Sequence, residues 1–203
     1  MLDRLAIVVL KPALDAGAER LLRVGATADA VTLAGLGLGL AAAASIALGA
    51  TLAGCVLILV SRLADGLDGA IARRTRATDR GAFLDIACDF LFYAAIPLAF
   101  AVLDPARNAL PAAVLLAAFI GTGTSFLAFA VLAERRGLAS TAFPDKGFYY
   151  LGGLTEATET LLCFLAMCLF PAWFPVLALG FAALCGITLV TRLVAGWQVF
   201  GPR

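Results

Sequence analysis

The stretch Ser61-Arg62-Leu63-Ala64-Asp65-Gly66-Leu67-Asp68-Gly69-Ala70-Ile71-Ala72-Arg73, followed after residues 74–80 by Gly81-Ala82-Phe83-Leu84-Asp85-Ile86-Ala87-Cys88-Asp89, sets four aspartates among apolar residues. On a helix, positions 65, 68, 69, 72 and 73 follow the i, i+3, i+4, i+7, i+8 rule and share one face. Leu63, Ala64, Leu67, Ala70 and Ile71 fill the remainder. Positions 81, 85 and 89 likewise share a face of a second helix. The short connection makes the two helices antiparallel neighbours, and their polar stripes are expected to meet.

The surroundings of this stretch are those of a bilayer protein. Of 203 residues, 63% are apolar or aromatic and 14% charged, against roughly 45–50% and about 25% in soluble domains. From Ala30 to Ser61 no charged residue occurs, a run longer than the ~20 residues of one crossing. The Gly49-Ala50-Thr51 break within it predicts two helices joined by a tight turn. Apolar runs bounded by charge or proline give six spans, about 31–49, 52–73, 82–103, 109–133, 150–170 and 174–195. Residues 1–29 mix Leu5, Val8, Val9, Ala13, Ala16 and Leu21 with Arg4, Lys11, Glu19, Arg20 and Arg23. That pattern suits an amphipathic helix lying in the membrane interface, with a solvated leader as the alternative. The expected fold is therefore all-α and integral to the membrane, with six transmembrane helices and an N-terminal interfacial helix in a single domain over residues 1–203.

Charge sets the orientation. With the N-terminus cytoplasmic, Arg4, Lys11, Arg20, Arg23, Arg73, Arg74, Arg76, Arg80, Arg135, Arg136, Lys146 and Arg203 all fall on the cytoplasmic side and only Arg107 falls clearly outside, as the positive-inside rule requires. Both termini and the acidic stretch are expected there, in a bacterial inner membrane. The apolar segment Leu5–Leu10 is too short to cross and lacks a small-residue cleavage site, so no cleaved signal peptide is expected. Histidine is absent and the net charge is +1, which excludes histidine ligands and histidine acid–base chemistry and gives nucleic-acid binding no support. Cys55, Cys88, Cys163, Cys168 and Cys185 stand singly in apolar segments and read as small buried hydrophobes. Gly35 and Gly39 form a GxxxG suited to close helix packing.

A charged residue at the bilayer centre costs about 2.5–3.5 kcal/mol on insertion scales, so four converging carboxylates demand compensation. Divalent cations between Asp65, Asp68, Asp85 and Asp89 supply it. An all-oxygen set points to Mg²⁺ or Mn²⁺, which also bridge phosphate oxygens. Gly69 and Gly81 let a phosphate or nucleotide approach the backbone, and Arg73 suits a phosphoryl oxygen. The competing reading, structural salt bridges to Arg62, Arg73, Arg74 and Arg80, leaves the glycines on both stripes unexplained.

The string Asp65-x2-Asp68-Gly69-x2-Ala72-Arg73, then Gly81-x3-Asp85-x3-Asp89, resembles the signature of the CDP-alcohol phosphotransferase family, with all eight positions in order. The resemblance implies a homodimer using two divalent ions, Mg²⁺ or Mn²⁺. It implies that Asp65, Asp68 and Asp85 ligate the metals, that Asp89 is the general base, and that Gly69, Ala72 and Arg73 contact the CDP moiety. An alcohol would attack the lipid-side phosphorus of a CDP-linked lipid and expel CMP. Two departures stand out: the spacer 74–80 is shorter than the family's usual eight or more, and its Pro-Asn lead reads Ala28-Asp29. Asp29 and Thr32 lie near the nucleotide on this reading; otherwise Asp29 is an ordinary helix N-cap.

Acceptor recognition is left to Lys146, Arg192, Glu156 and Glu159. Lys146 and Arg192 suit a phosphate on the acceptor, whereas two intramembrane glutamates favour an amine or neutral polyol or pair with Arg192 to hold helices together. Thr122, Thr124 and Ser125 read as local hydrogen-bonders, and Tyr149, Tyr150, Trp173 and Trp197 as an interfacial belt. Three rivals make distinct predictions. An Asp-rich intramembrane prenyltransferase would carry its acidic motifs on widely separated helices, a cation transporter would show inverted repeats or broken helices, and a scaffold that had lost catalysis would lack acidic positions of the motif.

Overall fold

The computed structural model describes residues 2–138 and 154–201, and their regular structure is entirely helical. In chain order the helices are α1 (Leu2–Arg23), α2 (Ala28–Ala47), α3 (Thr51–Arg74), α4 (Asp79–Leu103), α5 (Pro105–Arg135), α6 (Ala157–Leu169) and α7 (Phe174–Phe200), with one 3₁₀ turn, Pro171–Trp173, before α7. Four helical stretches are long and apolar enough to cross a membrane: α2, α4, α5, and α7 with its preceding turn. α3 is as long, but carries Arg62, Asp65, Asp68, Arg73 and Arg74. α6 is apolar and has 13 residues.

Local chemistry sets the breaks. α2 ends where Gly49 takes φ +87°, a conformation that only glycine adopts without strain. Ala50 N–H there reaches Ser45 O at 2.9 Å and Gly49 N–H reaches Ile46 O at 2.9 Å, satisfying carbonyls at the helix end. α4 and α5 are separated by Asp104 alone, whose carboxylate accepts from Arg107 N–H at 3.2 Å, with Pro105 in the first turn of α5. α4 starts at Thr78, whose hydroxyl accepts from Gly81 N–H at 3.0 Å. α2 is capped by Thr27, which accepts from Ala30 N–H at 3.3 Å. This corrects the N-cap expected at Asp29: that residue lies in the first turn of α2 and pairs with Arg80 at 2.5 Å.

α2, α3 and α4 pack closely because small residues line the seam. Ser61 Oγ donates to Gly35 O at 2.7 Å. A Cβ at Gly39 would lie 2.7 Å from Phe92 and 3.1 Å from Ser61 Oγ, and one at Gly35 would lie 3.2 Å from Ala64. The main core joins α2 to α7 around Phe92, Phe100, Phe164 and Phe174, all fully buried. Phe100 stacks on Phe174 at 4.6 Å between centroids, and Phe92 meets Phe164 edge-on at 6.0 Å. Leu33, Leu40, Val56, Leu91, Leu98, Val176, Ile187 and Val190 point outward and exposed, as a lipid-facing surface requires.

A second, smaller core joins the first helix to α3. Ala18 of α1 is buried against Ala70 and Ile71 of α3, with Leu14, Leu21 and Leu22 around it. Arg74 fixes the pair from the α3 side, donating to the Asp15 carbonyl and lying 3.5 Å from its carboxylate. The second half of α1, from Leu14 to Leu22, is thus packed on α3. All five cysteines are free; Cys88, Cys168 and Cys185 are buried, and Cys55 and Cys163 partly so. Trp173 and Trp197 are exposed, while Tyr149 and Tyr150 lie outside the described residues.

Candidate active site

The α3–α4 hairpin positions the acidic residues. Asp65 and Asp68 stand one turn apart on α3, and the Thr78 cap fixes where α4 begins and hence which face carries Asp85 and Asp89. One carboxylate oxygen each of Asp65, Asp68 and Asp85 lies within 4.8 Å of the other two. Mg²⁺ binds oxygen at about 2.0–2.1 Å, so two ligands across one ion stand at most about 4.2 Å apart. A small inward movement of the side chains closes the triad on such an ion, and the donor set is hard oxygen throughout. These residues fit a divalent metal.

Depth differs among the three. Asp68 is buried, Asp65 partly so, and Asp85 is exposed. Thr32 of α2 supports Asp68: its hydroxyl oxygen lies 2.5 Å from Asp68 Oδ2 and 3.0 Å from Ala28 O. A hydroxyl has one proton to give, and the short approach identifies the carboxylate as its stronger acceptor. The Thr32 side chain therefore sits against the acidic cluster.

Asp89 is held differently. Arg62 Nη1 lies 2.6 Å from Asp89 Oδ1 and 3.6 Å from Asp65 Oδ1, and the Arg62 guanidinium lies 3.9 Å over the Phe92 ring. Three of the four aspartates thus form the close triad, while the fourth is engaged by an arginine. Of the other arginines in this stretch, Arg74 goes to Asp15 and Arg80 to Asp29. Arg73 is exposed and folds back along its own helix, where a Cβ at Gly69 would lie 3.2 Å from Arg73 Nη1. Gly69 thereby leaves room for the guanidinium beside the triad. Ala72 is half-buried on the same stripe. A Cβ at Gly81 would lie 3.2 Å from Thr78 Oγ1 and 3.5 Å from Asp29 Oδ1, which brings Asp29 to the mouth of the hairpin.

The acceptor candidates lie on α6 and α7. Glu156 is the N-cap residue of α6, and Glu159 accepts from Glu156 N–H at 3.2 Å. The pair therefore begins a helix, where carboxylates complement the dipole, and Glu159 has a capping task. Arg192 is buried on α7 and donates to Thr122 O at 3.0 Å. It helps line an open groove of about 470 Å³ with Ser125, Phe129, Leu132, Trp197 and Phe200. Thr122, Thr124 and Ser125 each donate to a carbonyl of the preceding turn. Thr188, fully buried, accepts from Leu154 N–H and Thr155 N–H, each at 3.2 Å. Lys146 lies outside the described residues. In the sequence Arg62 reads only as a possible salt-bridge partner, and Ser61 and Phe92 do not stand out. Phe92 is one turn beyond Asp89 and Ser61 one turn before Asp65, so helical spacing was the available signal.

Comparison with known proteins bears on this site. The profile of the CDP-alcohol phosphatidyltransferase family matches residues 26–191. The Escherichia coli inner membrane protein YnjF is 51% identical over 197 residues, covering 97% of this chain and 96% of that one. The archaetidylinositol phosphate synthase of Methanothermobacter thermautotrophicus is 43% identical over 70 residues, 34% of this chain and 36% of its own. Among solved structures, the Mycobacterium tuberculosis phosphatidylinositol phosphate synthase PgsA1 with CDP-DAG bound has a TM-score of 0.71 at 27% identity, covering 91% of this chain and 93% of that one. The same protein with manganese and citrate has a TM-score of 0.70 at 27% identity, covering 91% and 88%.

Proposed function

The chain belongs to the CDP-alcohol phosphatidyltransferase family and is a phosphatidyltransferase enzyme, and from that premise we propose that it moves a phosphatidyl group from a CDP-linked lipid to an alcohol and releases CMP. The observation that carries the proposal is the Asp65/Asp68/Asp85 triad with Asp89 beside it and Arg73 over Gly69. A solved relative holds CDP-DAG and another structure of it holds manganese, which supports CDP-diacylglycerol as donor and Mg²⁺ or Mn²⁺ at the triad.

Asp65, Asp68 and Asp85 would hold the divalent ions, which when bound neutralise the diphosphate and the charge growing on the leaving group. Arg73 binds a phosphoryl oxygen, and Gly69, Ala72 and Gly81 admit the nucleotide to the backbone of α3 and α4. Thr32 keeps Asp68 in place. Asp89 takes the proton of the acceptor's hydroxyl. The alcohol oxygen then bonds to the lipid-side phosphorus, the bond from that phosphorus to the bridging oxygen breaks, and CMP leaves with the electron pair.

For the acceptor, the capping task of Glu159 removes part of the argument for an amine or neutral polyol. Arg192, and Lys146 from outside the described residues, support an alcohol bearing an anionic group. The same proposal places six crossings in the bilayer, with α1 in the interface, and puts both termini and the site on the cytoplasmic face of a bacterial inner membrane. Twelve basic residues on that side support it. A homodimer is carried over from the family resemblance.

The test is CMP release by purified protein given CDP-diacylglycerol, Mn²⁺ or Mg²⁺, and a panel of phosphorylated polyols, glycerol, serine and ethanolamine. Release with at least one acceptor, greatest with an anionic one, is expected. Folded, metal-loaded protein that releases no CMP with any of them would count decisively against the reading.

A further inference from the structure

Arg73 and Arg74 stand side by side at the end of α3, and only Arg73 belongs to the signature. Consecutive helical residues point about 100° apart, and the two guanidinia go to different helices. Arg73 folds back over Gly69 beside the triad. Arg74 instead reaches α1, where Nη1 donates to the Asp15 carbonyl and lies 3.5 Å from Asp15 Oδ1. The other carboxylate oxygen, Oδ2, lies 3.2 Å from Lys11 Nζ one turn earlier on α1. Asp15 is therefore oriented from its own helix and presents Oδ1 to α3.

The apolar contact beneath this pair is close. Positions 66, 67, 70, 71 and 74 share a face of α3 opposite the acidic stripe. Ala18 of α1 is fully buried against Ala70 and Ile71 on that face. A Cβ at Gly66 would lie 3.1 Å from Leu14, and one at Gly17 would lie 2.8 Å from Leu67. α1 thus backs the half of α3 that carries the signature, and the Arg74–Asp15 contact closes that seam where α3 ends. The chain leaves the helix at Thr75, and a last turn frays unless it is tied down.

We propose that Asp15 is a positioning residue for the donor's diphosphate: through Arg74 it keeps the last turn of α3 wound, so that Arg73 stays over Gly69 beside the triad. The proposal rests on the transferase reading above, in which Arg73 binds a phosphoryl oxygen. Arg73 meets the donor before and during transfer alike, so its misplacement weakens donor binding and leaves kcat largely unchanged. Loss of Asp15 also releases Arg74, a second permanent cation one residue from the first. A brace that merely stabilised the fold would lower the melting temperature and leave donor affinity untouched.

The experiment compares wild type, Asp15→Asn, Asp15→Glu, Arg73→Gln and the double variant Asp15→Asn/Arg73→Gln. The Kd for CDP-diacylglycerol is measured with Mn²⁺ and no acceptor, so that it needs no turnover, and CMP release is then measured on the best acceptor. In Asp15→Asn the donor Kd should rise about three- to five-fold, the scale of a partly exposed ion pair. Its kcat should stay within about two-fold of wild type, and so should the Mn²⁺ concentration giving half-maximal release. Asp15→Glu, which keeps the charge, should recover most of the affinity. In the Arg73→Gln background, Asp15→Asn should add no further loss, because residues that act through one another are not additive. An unchanged Kd in Asp15→Asn, or a loss of the same size with and without Arg73, overturns the proposal. If Asp15→Asn fails to fold, Arg74→Lys decides: a raised Kd seen only where Arg73 is present supports it, and a wild-type Kd contradicts it. An inactive wild type would defeat both this proposal and the transferase reading, whereas an active wild type matched by Asp15→Asn in donor affinity defeats this one alone.

Discussion

At the residue scale, chemically identical aspartates acquire different tasks from their neighbours. Asp68 is buried beside the Thr32 hydroxyl, Asp85 is exposed, and Asp89 faces Arg62. Thr32→Val keeps the shape and removes the hydrogen bond to Asp68, a bond to a charged group of about 1.5–3 kcal/mol. The Mn²⁺ concentration giving half-maximal CMP release should rise about ten-fold, and Thr32→Ser should restore it. Asp89→Asn should lower kcat by about 10²–10⁴-fold, the usual share of a general base, while metal-dependent binding of CDP-diacylglycerol persists. Normal turnover by that variant would remove Asp89 from the role of base.

At the scale of elements, the α2–α3–α4 seam sets where the carboxylates stand. Gly39→Ala should be destabilising, since its Cβ would lie 2.7 Å from the buried Phe92 ring, and overpacking costs about 1–3 kcal/mol. Gly37→Ala on the same helix meets nothing within 4 Å, so its melting temperature in detergent should match wild type while that of Gly39→Ala drops. Most of this layer was legible in the sequence. The Gly49 break, the spacer after Arg73 and the junction at Asp104-Pro105 are local signals, and the ends of the expected spans fall on or within a few residues of those of α2, α3, α4 and α5. Tertiary partners were not legible. Thr27 and Asp29 are both capable N-caps, and what frees Asp29 is Arg80 on the far side of the hairpin. The Arg62–Asp89 pair joins residues 27 apart in sequence and depends on how two helices face each other, which their separate periodicities do not fix. Glu156 and Glu159 read as intramembrane charges because the start of α6 is not marked by a composition change.

At the scale of the whole molecule, the site lies at one end of the helices. Arg107, at the start of α5, donates to Ala172 O in the turn before α7. Arg136, just beyond the other end of α5, donates to Val199 O and Phe200 O at the end of α7. The turn before α7 and the end of α7 thus mark opposite ends of the molecule, and basic residues crowd the second. A single cysteine placed at Arg136 in a cysteine-free variant should react with a membrane-impermeant maleimide only after cells are opened, and one at Arg107 should react in intact spheroplasts. The reverse pattern would invert the proposed topology.

The Asp65/Asp68/Asp85 triad is the centre of the proposed chemistry. Its test is CMP release from CDP-diacylglycerol as a function of Mn²⁺, measured side by side for wild type, Asp65→Asn, Asp68→Asn and Asp85→Asn. Wild type should show saturable dependence on Mn²⁺ that chelation abolishes, and each variant should lose at least about 10²-fold in activity or require far more metal. Release that persists in chelator, or triad variants that follow the wild-type Mn²⁺ curve, would contradict it.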